Sequence, residues 1–256
     1  MDAYSRVQAA RAKGRKTSMD YIRALTEDFV ELHGDRRFAD DRAIVAGIAR
    51  LGGRPVTVVG IEKGSDTAER VRRNFGSAHP EGYRKAVRQF LQAEKFRRPV
   101  VCFVDTAGAY CGVGAEERGQ GHAIAESIST LMGLTVPVIS VIIGEGGSGG
   151  ALALAAASEV WMLENAVYSV ISPEGAASII WKDAKRVREA CECLKLTAGD
   201  LLGLGVVERV FPEGEGLMDA LGAALAEALG RYGRMEPDAI RRQRYRKFRA
   251  IGGQAL

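Results

Sequence analysis

The β-favouring runs of this chain arrive in pairs, and that restricts the folds open to it. AIVAGIARL and RPVTVVGIE are separated only by Gly52-Gly53, a two-residue hairpin signal. EGYRKAVRQFLQAEKF then has helical period, and RPVVCFVDT is a short apolar run rich in β-branched residues, as a buried strand should be. A loop AGAYCGVG, a helix over roughly Ala115 to Met132 and a strand VPVISVII follow. Beyond a glycine-rich loop and a short helix, GGALALAAAS, two more strand candidates, EVWMLE and AVYSVI, again come together. A doubly wound sheet alternates one strand with one helix, whereas strand pairs between helices predict an α/β fold of repeated strand-strand-helix turns.

The flanks read as helical. SMDYIRALTEDFVELHG carries Ile22, Leu25, Phe29 and Leu32 near helical spacing, with Ser18 as N-cap and Gly34 as stop. SPEGAASIIW predicts a helix capped by Ser172 with Pro173 in its first turn. From Gly214 the chain reads as a helical, charged extension. The expected organisation is one domain: a helical segment over 1–35, a core over 36–213 and a basic helical extension over 214–256.

Composition excludes several classes. Hydrophobic residues make up 46% of the chain, enough for a real core. No apolar run reaches the roughly 18 to 20 residues of a membrane helix, and MDAYSRVQAARAKGRK has no signal-peptide core, so a cytoplasmic protein without a membrane partner is expected. Cys102, Cys111, Cys191 and Cys193 form no C-x-x-C pair and read as reduced thiols, with no metal site. RRQRYRKFR, from Arg241 to Arg249, is a basic cluster of the kind that attracts phosphate, but it reads as a solvated helix end. No nucleic-acid fold signature accompanies it, so nucleic acid is not an expected partner.

GEGGSGG, Gly144 to Gly150, holds the chemistry. It fits G-x-G-x-x-G, a dinucleotide fingerprint, but the helix after it is short and two strand candidates follow rather than one. It also fits G-x-S-x-G with Ser148 as nucleophile, yet His33, His79 and His122 all precede that serine, against the usual order. A third reading needs no side chain. Glycines at a helix start let backbone N–H groups approach a ligand, and the helix dipole favours an oxyanion there. Amides aimed at an enolate oxygen supply about 3 to 4 kcal/mol per donor. Close packing of helix on sheet is the bland alternative.

The stretches DYI, GDRRFADDRAIVAGIARLGGRPV, RRNFGSAHPEGYRKA, DTAGAYCGVGAEERGQ, IIGEGGSGGALA and YSVISPEGAASIIWKD, in order from Tyr21 to Asp183, resemble the α subunit of bacterial acetyl-coenzyme A carboxylase carboxyltransferase. The resemblance implies a crotonase-like spiral. It implies transfer of a carboxyl group from carboxybiotin, on a biotin carboxyl carrier protein, to acetyl-CoA, giving malonyl-CoA, the first committed step of fatty acid biosynthesis. ATP enters only through a separate biotin carboxylase. The implied partner is a β subunit of the same fold, in an α2β2 arrangement, which carries a zinc ribbon that this chain lacks.

Carried over by position, Gly149, Gly150 and Ala151 match the oxyanion-hole segment, and Gly146 and Gly147 the approach to it. Gly108, Ala109, Tyr110 and Gly112 match a second site loop, in which Ala107 and Cys111 replace two prolines and predict greater mobility. Tyr168, Ser172, Pro173, Glu174 and Gly175 match a loop on the biotin side. Arg70, Arg72, Arg73 and Asn74 are candidates for coenzyme A phosphate or partner contacts. Glu116, Glu117 and Arg118 are expected to cap their helix and pair on its surface. Longer members have an additional N-terminal helical segment. The alternatives are a self-sufficient crotonase-type enoyl-CoA hydratase or isomerase, using Glu116/Glu117 or Glu145, and a non-catalytic basic scaffold.

Overall fold

The computed structural model describes residues 1–253. Its strands are β1 (Glu27–Glu31), β2 (Ile44–Leu51), β3 (Arg54–Ile61), β4 (Val100–Thr106), β5 (Val138–Gly147), β6 (Glu159–Leu163), β7 (Val167–Ser169) and β8 (Arg209–Phe211). The helices are α1 (Ala3–Ala10), α2 (Ser18–Leu25), α3 (Thr67–Arg72), α4 (Pro80–Lys95), α5 (Val113–Glu117), α6 (Gln120–Gly133), α7 (Ser148–Ala155), α8 (Pro173–Trp181), α9 (Val187–Leu194), α10 (Ala198–Gly203), α11 (Leu217–Tyr232) and α12 (Pro237–Ala250).

The strands form one sheet in the order β1-β2-β3-β4-β5-β6-β8, with β7 attached to β5. Gly52 and Gly53, at φ 55° and 76°, turn β2 into β3, as the tight turn of a right-twisted hairpin requires. From β3 onward the pairings are parallel. All of β4 and β6, and β5 as far as Gly146, are buried, which is why their sequences run apolar instead of alternating. β5 is shared. Ile139 to Ile142 pair with β6, whereas Glu145 to Gly147 pair with β7. One long strand thus passes from one pairing to another, the wound geometry that paired strands predicted.

Four local expectations change. The helix from Ser18 ends at Leu25, and Glu27–Glu31 is a strand against β2. Thr26 turns extended at φ −130° and its Oγ1 donates to Ile22 O, so a β-branched residue ends the helix just before Glu27, Val30 and Glu31 gain sheet partners. The cap is Thr17, in a capping box with Asp20; Ser18 instead donates to Ile61 O at 2.6 Å inside the core. The helix from Ala115 breaks at Gly119, φ 80°, into α5 and α6. Gly144 to Gly147 are not loop but the end of β5, so the strand passes straight into α7 at Ser148.

The basic C-terminal helix also departs from a solvated end. Arg244 is fully buried. Its guanidinium donates to Leu131 O and Leu134 O at the end of α6, and to Val136 O and Ser158 Oγ. Burial pulls its pKa down to about 10. Lys247 pairs with Glu208 at 2.8 Å, and Leu221, Leu225 and Leu229 of α11 enter the main core. Residues 254–256 of the expected extension lie outside the described residues. Arg244→Ala would leave these acceptors without their donor, at a cost of about 3 kcal/mol or more. The expected result is a fall in Tm of roughly 6–12 °C; a fall under about 2 °C would show that the strap adds little.

Candidate active site

β4 and β5 lie side by side, ending in register with Thr106 opposite Gly146. Their continuations, residues 107–112 and the turn at Ser148, therefore leave the sheet together. They are in backbone contact: a Cβ on Gly147 would lie 2.2 Å from Ala107 O, and one on Gly150 would lie 2.6 Å from Ala109 N. No side chain fits either gap. Ser148, exposed at φ 54°, makes the sharp reversal between them.

Donors converge at this contact. The first N–H groups of a helix have no intrahelical acceptor, and no side chain caps α7. Across from it, Gly108 N donates to Thr106 Oγ1 and Tyr110 N to Ala78 O, while Ala109 N has no acceptor among the described residues. Tyr83 adds a fully buried hydroxyl with no partner among the described residues, 2.9 Å from where a Gly150 Cβ would be. Burial pushes its pKa up, so it stays a neutral donor. Ser127 and Ser140 hydroxyls satisfy Ala153 O and Leu154 O at the other end of α7.

Beside the contact is a cleft of about 220 Å³, with Arg11, Arg15, Lys63, Arg70, Asp105 and Glu145 on its walls. A chain of ion pairs crosses it. Lys63 Nζ is 2.7 Å from Asp105 Oδ1 and 2.8 Å from Glu145 Oε2. Arg11 Nε is 2.7 Å from Glu145 Oε1, and its NH1 is 2.7 Å from Glu174 Oε1. Burial alone would lower the Lys63 pKa, but the two carboxylates outweigh it and hold it above the ordinary lysine value. Burial would likewise raise Glu145, yet Lys63 and Arg11 hold it low. An adjoining hollow, with Glu145, Gly146 and Gly147 on one side and Val167, Ile171 and Leu196 on another, is largely apolar.

Residues 1–252 match the family described as acetyl co-enzyme A carboxylase carboxyltransferase-like. The chain belongs to this carboxyltransferase family. The acetyl-coenzyme A carboxylase carboxyl transferase subunit alpha of Ruminiclostridium cellulolyticum is 60% identical over 256 residues, covering 98% of each chain. The corresponding beta/alpha protein of Natranaerobius thermophilus is 52% identical, covering 97% of this chain and 42% of that one. A solved transcarboxylase 12S, with methylmalonyl-coenzyme A bound, superposes with a TM-score of 0.74 at 22% identity, over 88% of this chain and 42% of that one. The crotonase-like α/β fold expected from the resemblance is the fold observed.

The structure gathers many of the carboxyltransferase positions read from sequence. Gly146, Gly147, Gly149, Gly150 and Ala151 lie on the end of β5 and the start of α7, and of these Gly147 and Gly150 face the segment Ala107 to Ala109. Gly149 differs from its neighbours, because a Cβ there meets only Ile124 Cγ2 at 3.4 Å. Tyr110 lies against His79 with centroids 4.3 Å apart and ring planes tilted by 34°, and it covers Gly112. Within the loop that lacks the two prolines, Gly108 N donates to Thr106 Oγ1, and Gln120 Nε2 donates to Tyr110 O and Ala78 O. The Tyr168 ring covers Gly146, and burial pushes its pKa up to about 12. Ser172 caps α8 by accepting from Gly175 N, Pro173 opens the helix, and Glu174 reaches Arg11.

Of the basic group, Arg70 reaches the cleft; Arg72 and Arg73 pair with Glu69, and Asn74 closes a turn onto Ser77 O. Arg118 pairs with Glu81 of α4 at 2.8 Å and lies over Phe38, so it joins two helices instead of pairing on its own. Sequence reasoning missed Arg11, Lys63, Asp105 and Tyr83. A signal existed for two of them: Lys63 and Asp105, like Glu145, are charged residues at or just beyond the ends of apolar strand runs, IEKG and FVDT.

Two outcomes follow from this geometry. Gly150→Ala, in the assembled enzyme, is expected to lose about 100-fold in kcat because it spreads the amide-bearing segments. Gly149→Ala keeps its amide and has room, so its kcat is expected to stay within about threefold. Equal effects in steady-state assays would contradict the contact. The second outcome concerns acid. Glu145 and Glu174 both have folded-state pKa values below the ordinary one, Glu174 chiefly through its hydrogen bond to Arg11. They therefore stabilise the fold above the unfolded value and lose that contribution as pH falls through the folded one. Tm is expected to hold down to about pH 5 and fall below about pH 4, and Arg11→Ala should shift that fall to higher pH. An unshifted midpoint in pH-dependent melts would remove Arg11 from the network.

Proposed function

We propose that this chain is the α subunit of a two-subunit carboxyltransferase that moves the carboxyl group of carboxybiotin to acetyl-CoA, giving malonyl-CoA in the cytoplasm. The observation that carries the site assignment is the backbone contact of Gly147 with Ala107 and of Gly150 with Ala109, beside an Ala109 N–H without an acceptor. Amides fixed in this way fit an oxygen that becomes negative. The hollow beside Gly146 and Gly147 is lined by apolar Val167, Ile171 and Leu196, a surface suited to the carbon edge of a biotin ring that enters from the open side. Biotin, when bound in its carboxylated form, supplies the carboxyl group and a ureido nitrogen that accepts the thioester α-proton.

The residues of this chain bind and orient. The N–H groups of Gly149, Gly150 and Ala151, with Ala109, hold a ureido or enolate oxygen. Tyr168, Ser172 to Gly175, Tyr110 and Gly112 shape the biotin side, while Arg70 faces the cleft as a cation for a phosphate or a partner carboxylate. No side chain of this chain acts as general base. The hydratase alternative needs a free carboxylate, and Glu145 is held at Oε1 by Arg11 and at Oε2 by Lys63. Glu116 and Glu117 stand exposed on α5. The proposed partners are a zinc-ribbon β subunit in an α2β2 assembly, a biotin carboxyl carrier protein and biotin carboxylase, with ATP used only by the last.

Co-expression with a zinc-ribbon β subunit, followed by carboxyl-transfer and malonyl-CoA decarboxylation assays with biotin, tests the reading. Activity is expected from the pair and from neither chain alone. Turnover by this chain by itself would overturn the shared site.

A further inference from the structure

The Lys63–Asp105–Glu145 cluster has no chemical step in the proposed reaction, yet it occupies a critical place. Lys63 follows the end of β3, Asp105 is the next-to-last residue of β4, and Glu145 is two residues from the end of β5, the strand that leads into α7. The carboxylate Oδ1 of Asp105 accepts from Glu145 N at 2.8 Å and lies 2.7 Å from Lys63 Nζ as an ion pair. It packs so closely that a Cβ on Gly144 would lie 2.5 Å from it. Two residues past Glu145 is Gly147, and two past Asp105 is Ala107, the pair in backbone contact. Lys63 side-chain exposure is 19%, against 8% for Asp105 and 11% for Glu145.

We infer that Lys63 is a positioning residue whose ammonium fixes the spacing of the two strand ends that carry the site amides. Its ammonium donates to Glu145 Oε2 and is ion-paired with Asp105 Oδ1, so its charge neutralises both carboxylates instead of reaching a substrate. Without it, two carboxylates on adjacent parallel strands would repel. The other charges facing the cluster are Arg11 on Glu145, Glu174 behind Arg11, and Arg70 and Arg15 at the cleft wall, with Glu213 on Arg15. Glu62, the neighbour of Lys63, is engaged by Met19 N and Gly64 N. Arg11 reaches only the far oxygen of Glu145, so it does not substitute for the ammonium between the two carboxylates.

Removal of Lys63 therefore leaves a defect that a proton repairs, because two facing carboxylates come to share one as pH falls. This rests on the carboxyltransferase reading, and the test separates the two. In the enzyme assembled with its β subunit, the ratio of Lys63→Met to wild-type kcat is expected to be about one-hundredth near pH 8, with KM for acetyl-CoA within about threefold. The ratio should rise about tenfold or more toward about pH 6. The double variant Lys63→Met with Asp105→Asn keeps an acceptor for Glu145 N and removes one charge, so its ratio should be higher at about pH 8 and nearly flat with pH.

Melting of the same proteins gives a readout independent of turnover: the Tm deficit of Lys63→Met should shrink from pH 8 to pH 6, and the double variant should melt above the single one at about pH 8. A pH-independent loss, a KM effect alone, or a double variant no better folded or more active than the single one overturns the inference. If the assembled wild type shows no transfer, the functional reading fails and the melting comparison alone decides the role of Lys63.

Discussion

The contact between two stretches of bare backbone governs this molecule. Gly147 against Ala107 and Gly150 against Ala109 leave no room for a methyl group, and nothing softer than a main chain fills those gaps. Everything nearby serves the approach. β4 and β5 bring both segments out of the sheet in register, Ser148 accepts a left-handed backbone to reverse the chain, and the small residues of α7 let it settle against the sheet. The N–H groups there lack the side-chain cap that most helix starts find. A binding site made of main chain needs this kind of rigidity, since its donors have no rotamers with which to adapt.

Much of the fold was legible in the amino acids because the signals were local. Gly52-Gly53 between two β-branched runs specified a hairpin, and Ser172-Pro173 specified a helix start; both are as read. The misread elements depended on distant partners. Phe29 keeps helical spacing with Ile22 and Leu25, but β2 lies alongside and pairs with Glu27, Val30 and Glu31 on either side of it. Gly144 to Gly147 look like loop by composition, and only pairing with β7 and with Thr106 makes them strand. Arg244 sits in a basic run that would be expected in water, and becomes a buried strap because α6 ends in carbonyls that need donors.

The candidate site divides in the same way. Its glycines were visible because glycine clusters are rare and have a physical purpose. The ion chain was not, because residues 11, 63, 105, 145 and 174 have no common spacing; only the sheet brings them together. Tyr83 was invisible for a different reason. It reads as one more apolar position on α4, and its significance lies in a hydroxyl that finds no partner in the core. Phenylalanine would fill the same space at less cost in desolvation, so the hydroxyl is the part of this side chain that packing alone does not call for.

The double allegiance of β5 also bears on how the chain reaches its native state. A strand that pairs with β4, β6 and β7 can be completed only after segments spanning Val100 to Ser169 have come together, and parallel contacts of such sequence separation form slowly. Its last residues join β7 just where the strand becomes α7. The amides proposed to bind oxygen are thus set in place only once β4, β5 and β7 have come together, so a nascent or partly collapsed chain has no functional pocket to expose.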